Sequence, residues 1–424
     1  MVRYRVLFGE EELWTYLPSG CEVLEAFPKR VEPLSDPENE LKKVLENPIG
    51  SKRLSEIISR NMKVAILVDD YTRPTPAYKI LPKILEELET KDIPDENIKI
   101  IIALGTHRPA TDREIRKKVG DKIFLKYEVL NHDWRNRDAL KYLGETKRGT
   151  PIWVNKEVVN SDLVIGIGSI FPHRVAGFSG GGKIVQPGVC GEETTGYTHW
   201  LSAQIPGERL LGTEVNPVST EIQEVARRVG LEFIVNCIMD MRHKVYRIVA
   251  GDPIKAWRRG CHFSREVYEV KIPFKADIVI AECRPPSDMD MWQAARAIYA
   301  SGVIVKQGGT IILLAKCPKG ISKEHPEVSM IGYQKLSCVK QLVRNGIVKD
   351  LVAAAHMVHV GSVIREKAKC ILISEGIKRK EAEKIGFKYQ ESLEQAINEA
   401  LARHGKHSRV VILHEAQHIL PKIC

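Results

Sequence analysis

Short apolar runs alternate with segments of helical periodicity along most of the chain, and this alternation restricts the fold more than any other feature. "VAILVDD" (64–70) precedes the helical pattern "PAYKILPKILEELETK", and "IKIIIALGTH" (98–107) precedes "TDREIRKKVG". Later runs of the same kind are "DLVIGIGSI", "ADIVIAEC", "GGTIILLAKC" and "CILISEG". Because strands that alternate with helices are typical of parallel sheets covered by helices, the sequence predicts an α/β fold with mainly parallel sheets.

The chain is too long for one compact hydrophobic core, since it has 424 residues. A second series of strands begins after "VYEVKIPFKA", so we expect two α/β domains that meet near residues 265–275. The predicted N-terminal domain is 1–268 and the C-terminal domain is 272–407, with the last segment, 408–424, packing back on the first domain. A cleft between two such domains is the expected ligand site.

Composition excludes several classes of protein. The formal charge is +10, but the basic residues are scattered among acidic ones, so we expect solvated faces and binding of small anions rather than nucleic acid. No apolar run approaches the roughly 18 residues of a membrane-spanning helix, and the first residues do not resemble a signal peptide, which predicts a cytoplasmic protein without membrane contact. Nine cysteines without a CxxC pair argue against a disulfide framework or structural zinc.

Four polar clusters lie at or soon after predicted strand ends, where ligands collect in open α/β sheets. They are "DDYTRPTP" (69–76), "GTHRPAT" (105–111), "FPHRVAGFSGGGK" (171–183) and "TTGYTHW" (194–200). In the first cluster, Asp70 and Arg73 lie on a short turn where Thr72, Thr75 and backbone N–H groups could hold an anion. The alternative is a capping turn with an ordinary salt bridge. His107, His173 and His199 are candidate functional imidazoles, although a histidine in isolation is more often structural.

The third cluster contains G-x-x-x-x-G-K from Gly177 to Lys183, which resembles the start of a phosphate-binding loop. Such a loop follows its strand at once, leads into a helix and has Ser or Thr after the lysine. Here six residues intervene, Ile184 follows the lysine, and Pro187 stops any helix. A phosphate- or nucleotide-binding protein therefore remains only an alternative, and the loop instead presents a lysine that could be a covalent attachment point.

Taken together, the four clusters resemble the signatures of the nickel-pincer lactate racemase family in order and spacing. "FPHRVAGFSGGGKIVQPGV" is long enough to be specific, and "VNPVSTEIQEVARRVGLEFIVN" and "SGVIVKQGGTIIL" resemble later segments of that family. The resemblance covers most of the chain. It implies a racemase or epimerase of a small 2-hydroxy acid, with cofactor-biosynthesis proteins as partners. A homo-oligomer is a further expectation.

The resemblance also implies a cofactor and a role for each site residue. The cofactor is a pyridinium-3,5-bisthiocarboxylic acid mononucleotide that holds nickel and is joined to Lys183 through a thioamide in the N-terminal domain. The implied metal ligand is His199, and the implied acid/base pair is His107 and His173, which serve proton-coupled hydride transfer. The implied cofactor-binding residues are Asp70, Thr72, Arg73, Gly180 and Gly181, with Arg73 also contacting substrate.

The later domain departs from the family pattern at "QAAR" (293–296). Gln293 is retained, but Arg296 stands where the family has a lysine, and Trp292 stands where a smaller aromatic would suit lactate. We expect these three residues to bind the substrate. Because a guanidinium grips a carboxylate differently from an ammonium, a larger 2-hydroxy acid, a dicarboxylate or a sugar acid is an alternative to lactate.

Overall fold

The computed structural model describes residues 1–424, which divide into two compact units. The central unit comprises 30–201 and 212–267, and the terminal unit comprises 1–29, 202–211 and 268–424. Each unit contains one six-stranded sheet. None of the helices is long and apolar enough to cross a membrane.

The strands have the following bounds: β1 Val2–Phe8, β2 Glu11–Leu17, β3 Glu22–Ala26, β4 Val64–Asp69, β5 Ile98–Ala103, β6 Glu128–Asn131, β7 Leu140–Glu145, β8 Pro151–Asn155, β9 Leu163–Ser169, β10 Pro172–His173, β11 Gly177–Phe178, β12 Leu231–Met239, β13 Val245–Gly251, β14 Glu269–Ile272, β15 Ala276–Glu282, β16 Val305–Leu314, β17 Lys369–Ile373, β18 Lys388–Tyr389, β19 Arg409–Leu413 and β20 Leu420–Ile423.

The α-helices have the following bounds: α1 Pro37–Glu46, α2 Leu54–Ile57, α3 Ala77–Glu89, α4 Asp112–Val119, α5 Asp121–Lys126, α6 Lys156–Val159, α7 Glu192–Ala203, α8 Pro217–Val229, α9 Lys255–Tyr268, α10 Met291–Ile304, α11 Pro326–Ile331, α12 Leu336–Arg344, α13 Leu351–Ile364, α14 Arg379–Ile385 and α15 Leu393–His404. Short 3-10 helices cover Asp95–Asn97, Arg137–Ala139, Gly181–Ile184, Gly207–Arg209 and Ala416–His418.

The sheet of the central unit has the order β13-β12-β9-β4-β5-β6. Its pairings are parallel except that β13 runs antiparallel to β12. Every residue of β4 and β9 is buried, which explains why these strands read as continuous apolar runs rather than as alternating ones. The apolar face of α3 packs into the same core, with Ile80, Leu81 and Ile84 almost completely buried.

The sheet of the terminal unit has the order β18-β17-β16-β15-β19-β3, and its pairings are all parallel. The two six-stranded sheets confirm the predicted α/β class with mainly parallel sheets. The edge strand β3 comes from the first 29 residues and pairs with β19, from Arg409↔Glu22 to Leu413↔Ala26. The predicted boundaries place 1–29 in the N-terminal domain and pack 408–424 on it, whereas both segments belong to the terminal unit.

One predicted helix start is confirmed in atomic detail. Thr111 caps α4 by accepting a hydrogen bond from the backbone N–H of Glu114, and the Glu114 carboxylate accepts one from the backbone N–H of Thr111. Arg108 donates two hydrogen bonds to the same carboxylate, at 2.9 and 2.7 Å. This ion pair and the contacts with Thr111 lower the pKa of Glu114 to about 2, with Arg108 as the largest cause.

Candidate functional site

Three neighbouring strands of the central unit, in the order β9-β4-β5, lead directly into the first three polar clusters. Since these strands are parallel, their carboxyl ends share one edge of the sheet. The Arg73 guanidinium of the first cluster lies 5.2 Å from the centre of the Phe171 ring of the third. The backbone N–H of Gly105 in the second cluster donates to Gly188 O, just after the third cluster, at 2.9 Å. The fold therefore gathers these clusters into one candidate site.

His107 is held by Asp70 from the neighbouring strand. A hydrogen bond joins His107 Nδ1 to Asp70 Oδ2, and Asp70 Oδ1 accepts from the backbone N–H of Thr72 at 2.9 Å and from its hydroxyl at 2.5 Å. Burial by itself raises the pKa of Asp70, but the hydrogen bond and charge of His107, with Arg73 and Thr72, hold it well below its usual range. The ionised carboxylate accepts from Nδ1–H, so the neutral ring has its lone pair on Nε2.

A buried ion pair fixes the turn that carries Asp70. Lys118 of α4 donates to Asp69 Oδ1 at 2.9 Å and to the backbone carbonyl of Arg73 at 2.8 Å. The Thr75 hydroxyl donates to Asp69 Oδ2. Burial raises the pKa of Asp69 and Lys118 opposes this shift. The ammonium of Lys118 thus replaces water as the partner of a carboxylate and a carbonyl beneath the site.

Two glycines of the third cluster are required by close packing. Gly180 and Gly181 have φ of +73° and +55°, in the left-handed region. A Cβ on Gly180 would lie 2.5 Å from Ile170 Cγ1, and one on Gly181 would lie 2.7 Å from Trp257 Cδ1. The backbone N–H of Gly181 also donates to Asn236 Oδ1 at 2.8 Å. The loop consequently packs directly on the sheet.

His173 and Lys183, ten residues apart in sequence, meet in this loop. His173 lies in the short strand β10, whose partner is β11, and its Nε2 is 3.1 Å from Lys183 Nζ. The backbone N–H groups of Val175 and Ala176 donate to His173 Nδ1 at 3.2 and 3.3 Å. Lys183 also lines an open depression of about 200 Å³ together with Ala176, Phe178, Gly180, Gly182, Ser219, Ile222, Gln223 and Trp257.

His199 lies within α7 rather than at a strand end as expected, because "TTGYTHW" forms the body of that helix. Its Nδ1–H donates to the backbone carbonyl of Thr195 at 2.8 Å, which makes Nε2 the unprotonated nitrogen of the neutral ring. The helix is tied to the glycine loop by Gln186, whose side-chain N–H groups donate to Thr194 O at 3.2 Å and to the Thr198 hydroxyl at 2.7 Å.

The segment after Lys183 does not form the helix of a phosphate-binding loop. Gly181–Ile184 is a 3-10 turn, and the next α-helix begins at Glu192. As predicted from Pro187, no α-helix begins directly after the lysine. Lys183 Nζ instead lies beside the His173 imidazole, whereas the lysine of a phosphate-binding loop contacts the phosphates of the nucleotide.

Comparison with known families agrees with this geometry. Residues 8–210 match the model described as the lactate racemase N-terminal domain, and residues 272–420 match the lactate racemase C-terminal domain. The chain belongs to the lactate racemase family. The expected family resemblance is thereby confirmed over most of the chain.

Two curated lactate racemases are similar in sequence. The protein of Thermoanaerobacterium thermosaccharolyticum is 34% identical over 285 residues, which is 67% of this chain and 66% of the relative. The protein of Lactiplantibacillus plantarum is 33% identical over 284 residues, 66% of each chain. The matched segment thus spans 66% of the length of both relatives.

Solved structures extend the likeness to the whole fold. The lactate racemase apoprotein from Thermoanaerobacterium thermosaccharolyticum has a TM-score of 0.88 at 26% identity, covering 99% of this chain and all of that one. A protein from Thermotoga maritima has a TM-score of 0.73 at 21% identity over 93% of this chain and all of its own, which shows the fold alone.

The three residues expected to bind substrate lie at the start of α10 in the terminal unit. The half-buried Trp292 ring stacks on the His325 imidazole, with ring centres 4.0 Å apart, and its centre lies 3.9 Å from that of the tilted His356 ring. Asp290 caps the helix by accepting from the backbone N–H of Gln293 at 2.8 Å. Burial raises the pKa of Asp290, and the positive charge of Arg296 opposes this shift.

Several residues of this family member were not singled out from its sequence. Lys118 and Asn236 support the site from α4 and β12, and the Trp134 indole N–H donates to the backbone carbonyl of His107 at 3.2 Å. The sequence contains a signal for His356, because this polar residue interrupts the apolar run "LVAAAHMVHV" of α13. It contains no comparable signal for His325.

Proposed function

We propose that the chain is a racemase or epimerase of a 2-hydroxy acid and works by proton-coupled hydride transfer. The observation that carries this proposal is the gathering of two differently held imidazoles and a lysine at the ends of β9, β4 and β5. The two stereoisomers of the substrate present their hydroxyl groups in different positions, so a site with two bases suits the reaction. Membership of the lactate racemase family supports the same reaction class.

The residues fit a nickel-pincer nucleotide joined to Lys183. Lys183 offers an amine for covalent attachment of the group, and His199 offers an imidazole nitrogen as a metal ligand. His199 suits the one remaining ligand position, because its Nδ1–H is engaged by a backbone carbonyl and Nε2 carries the lone pair. When bound, the group would supply an electron-poor centre that accepts hydride from the substrate carbon and returns it.

The two histidines would move the hydroxyl proton on opposite faces of the substrate. His107 would take the proton at Nε2, and Asp70 would stabilise the imidazolium that forms, as a carboxylate does for a histidine base. The two backbone N–H groups on Nδ1 place the proton of the neutral His173 ring on Nε2, so His173 would accept a proton at Nε2 only after the ring proton moves to Nδ1 and these contacts open. These contacts support a positioning role for Asp70 and Thr72. Their contact with cofactor, and that of Gly180 and Gly181, stay predictions.

Two arginines would bind the anionic groups of cofactor and substrate. Arg73 would bind an anionic group of cofactor or substrate, and Arg296 would bind the substrate carboxylate with Gln293 and Trp292 beside it. Contacts with His325 and His356 hold the Trp292 ring in place. A substrate larger than lactate stays a prediction. The cytoplasmic location, cofactor-biosynthesis partners, a homo-oligomer and a cleft between domains stay predictions.

Mass analysis of the chain co-produced with cofactor-biosynthesis proteins tests the cofactor. We expect an adduct that maps to Lys183, with about one nickel per adduct, and no adduct in Lys183→Arg, because a guanidinium cannot form the thioamide. A phosphate clamp would tolerate arginine in part. An adduct on another residue, or a nickel content that is the same in Lys183→Arg, would refute the attachment.

A further inference from the structure

The loop that follows β16 is bound along its backbone to the start of α10. The N–H of Cys317 donates to Asp288 O at 2.8 Å, and the N–H of Trp292 donates to Ile321 O at 3.0 Å. The loop ends at His325, the residue directly before α11. This pairing brings His325 and Trp292 together although they belong to different elements.

The His325 imidazole covers one face of the Trp292 indole. The two ring planes are inclined by 16° and the ring centres are 4.0 Å apart, which is a stacked arrangement. Trp292 is half-buried, and the His325 side chain is only 14% exposed. Because an aromatic side chain has several rotamers, a ring fixed against one face restricts the orientations that the indole can adopt.

Asp350 fixes the imidazole in turn. Its Oδ2 lies 2.5 Å from His325 Nδ1, and its Oδ1 caps α13 by accepting from the backbone N–H groups of Val352 at 2.8 Å and Ala353 at 3.0 Å. Burial raises the pKa of Asp350, but the hydrogen bond and charge of His325 and the two N–H groups hold it below its usual range. The ionised carboxylate therefore ties the loop histidine to the N-terminus of α13.

The second histidine beside the indole is held by different elements. The His356 ring is tilted by 32°, with its centre 3.9 Å from that of Trp292. His356 belongs to α13, and its Nδ1 is hydrogen-bonded to the Tyr299 hydroxyl of α10 at 2.8 Å. Of the two histidines, His325 is the one that depends on a loop and on the carboxylate of Asp350.

Trp292 and Arg296 share one face of α10, because residues four apart in a helix are neighbours. The orientation of the indole therefore affects the space beside the guanidinium. One methylene group more or less in such a space changes selectivity about 10-fold or more. A side chain that fixes the indole can consequently select among substrates without contacting them.

We propose that His325, held by Asp350, sets the orientation of Trp292 and thereby determines which 2-hydroxy acids the chain accepts. This inference rests on the proposed function, which places the substrate beside Trp292 and Arg296. His325 acts through Trp292, so it is a positioning residue.

The first measurement is the fluorine NMR spectrum of the full chain labelled with fluorotryptophan. The chain has six tryptophans, and Trp292→Phe identifies the resonance of Trp292. In His325→Ala this resonance should move and broaden, because the stacked ring is lost. The other resonances should stay in place, which shows that the fold is kept. The control His407→Ala, which removes an exposed histidine, should leave the whole spectrum unchanged.

The second measurement is kcat and KM of the cofactor-loaded chain for two 2-hydroxy acids of different size that the wild-type chain inverts. In His325→Ala the ratio of the two kcat/KM values should change about 10-fold, mainly through KM, with kcat for the better substrate within about threefold of wild type. His325→Phe, which restores a ring against the indole, should recover most of the ratio. Asp350→Asn keeps a capping residue on α13 but loses the charge, so its ratio should be intermediate.

A Trp292 resonance that is the same in His325→Ala as in wild type overturns the positioning role. A resonance that moves while the kcat/KM ratio keeps its wild-type value overturns the role in specificity. The NMR measurement needs neither cofactor nor substrate. A wild-type chain that inverts no acid therefore refutes the proposed function and the role in specificity with it, whereas the positioning of Trp292 is decided by the spectrum.

Discussion

At the scale of single residues, Asp70 decides which nitrogen of His107 carries the proton. Its pKa is held well below the usual range, with the hydrogen bond from His107 as the main cause that opposes burial. It therefore stays an acceptor across the working pH range. The negative charge of the Asp70 carboxylate also stabilises the imidazolium form of His107, and this stabilisation favours proton uptake at Nε2.

Replacing Asp70 by asparagine should lower kcat by about 10- to 100-fold, since the neutral amide no longer stabilises the imidazolium. The pH profile of kcat should shift as well, because the amide can also hold the other tautomer of His107. The measurement is steady-state racemisation from pH 5 to 9, with Thr72→Val as the control that removes only the hydroxyl bond to Asp70. An unchanged kcat and pH profile in Asp70→Asn would show that the pair has no part in proton transfer.

His107→Ala and His173→Ala should each abolish net inversion, but with opposite preferences. With one base lost, the enantiomer served by the other base should still release its proton and give up to one equivalent of 2-keto acid per loaded enzyme. Rapid-quench assays with each pure enantiomer would measure this. Inversion near the wild-type rate in either variant, or the same enantiomer reacting in both, contradicts the two-face assignment.

The location of these positions was predictable, but their contacts were not. His107 and His173 were singled out because each lies soon after an apolar strand, and parallel strands bring their carboxyl ends to one edge. Their roles and that of Lys183 come from the family resemblance and stay predictions. The bond from Asp70 to His107 and the support from Lys118 depend on the pairing of β4 with β5 and on the packing of α4. Single-sequence periodicity does not specify such side-chain contacts.

At the scale of elements, His132 connects three segments beneath the site. It follows β6, its Nε2–H donates to Cys190 O at 2.9 Å, and Asn155 at the end of β8 donates to its Nδ1 at 3.3 Å. Burial lowers the pKa of His132 to about 4. The neutral ring is thus held by these two hydrogen bonds, and protonation of the ring must disrupt this arrangement.

Because the folded pKa of His132 lies below its unfolded value of about 6.5, its contribution to the free energy of unfolding is present above pH 6.5 and is lost as the pH falls toward 4. We expect the loss to be roughly 2–3 kcal/mol in urea unfolding curves. His132→Gln, which cannot titrate, should show a smaller fall between pH 6.5 and 4.5. Parallel curves for the two proteins would contradict this. The pKa of His404 is also lowered, mainly by burial, so its contribution to stability is lost over falling pH in the same way. Because His404 is present in both proteins, it does not affect the difference between their curves.

The predicted strands and helices near the polar clusters are confirmed, since Val64–Asp69, Ile98–Ala103 and Ala77–Glu89 fall on the expected segments. The hairpin β1–β2 was not predicted. Exposed and buried residues are mixed along it, so it lacks a continuous apolar run. The antiparallel direction of β13 was also not predicted, although it follows from the short connection between Met239 and Val245, which is too short for a parallel crossover.

At the scale of the whole molecule, the sequence suggested two α/β domains but not which segments belong to each unit. Residues 1–29 directly precede the central unit in sequence, yet they belong to the terminal unit, where β3 pairs with β19 at the edge of the sheet. A pairing across almost the full length of the chain leaves no trace in local periodicity or composition. Family membership agrees with the α/β class. The effect of Arg296 on the substrate stays a prediction.

Chiral analysis of a single pure enantiomer incubated with the cofactor-loaded chain tests the proposed function most directly. Over a panel of 2-hydroxy acids that includes lactate, dicarboxylates and sugar acids, at least one substrate should reach the same final mixture from either stereoisomer. Lys183→Arg prepared in the same way should leave each stereoisomer unchanged. A chain that carries the Lys183 adduct and nickel but inverts no member of the panel, or a Lys183→Arg variant that inverts as fast as wild type, would contradict the proposed function.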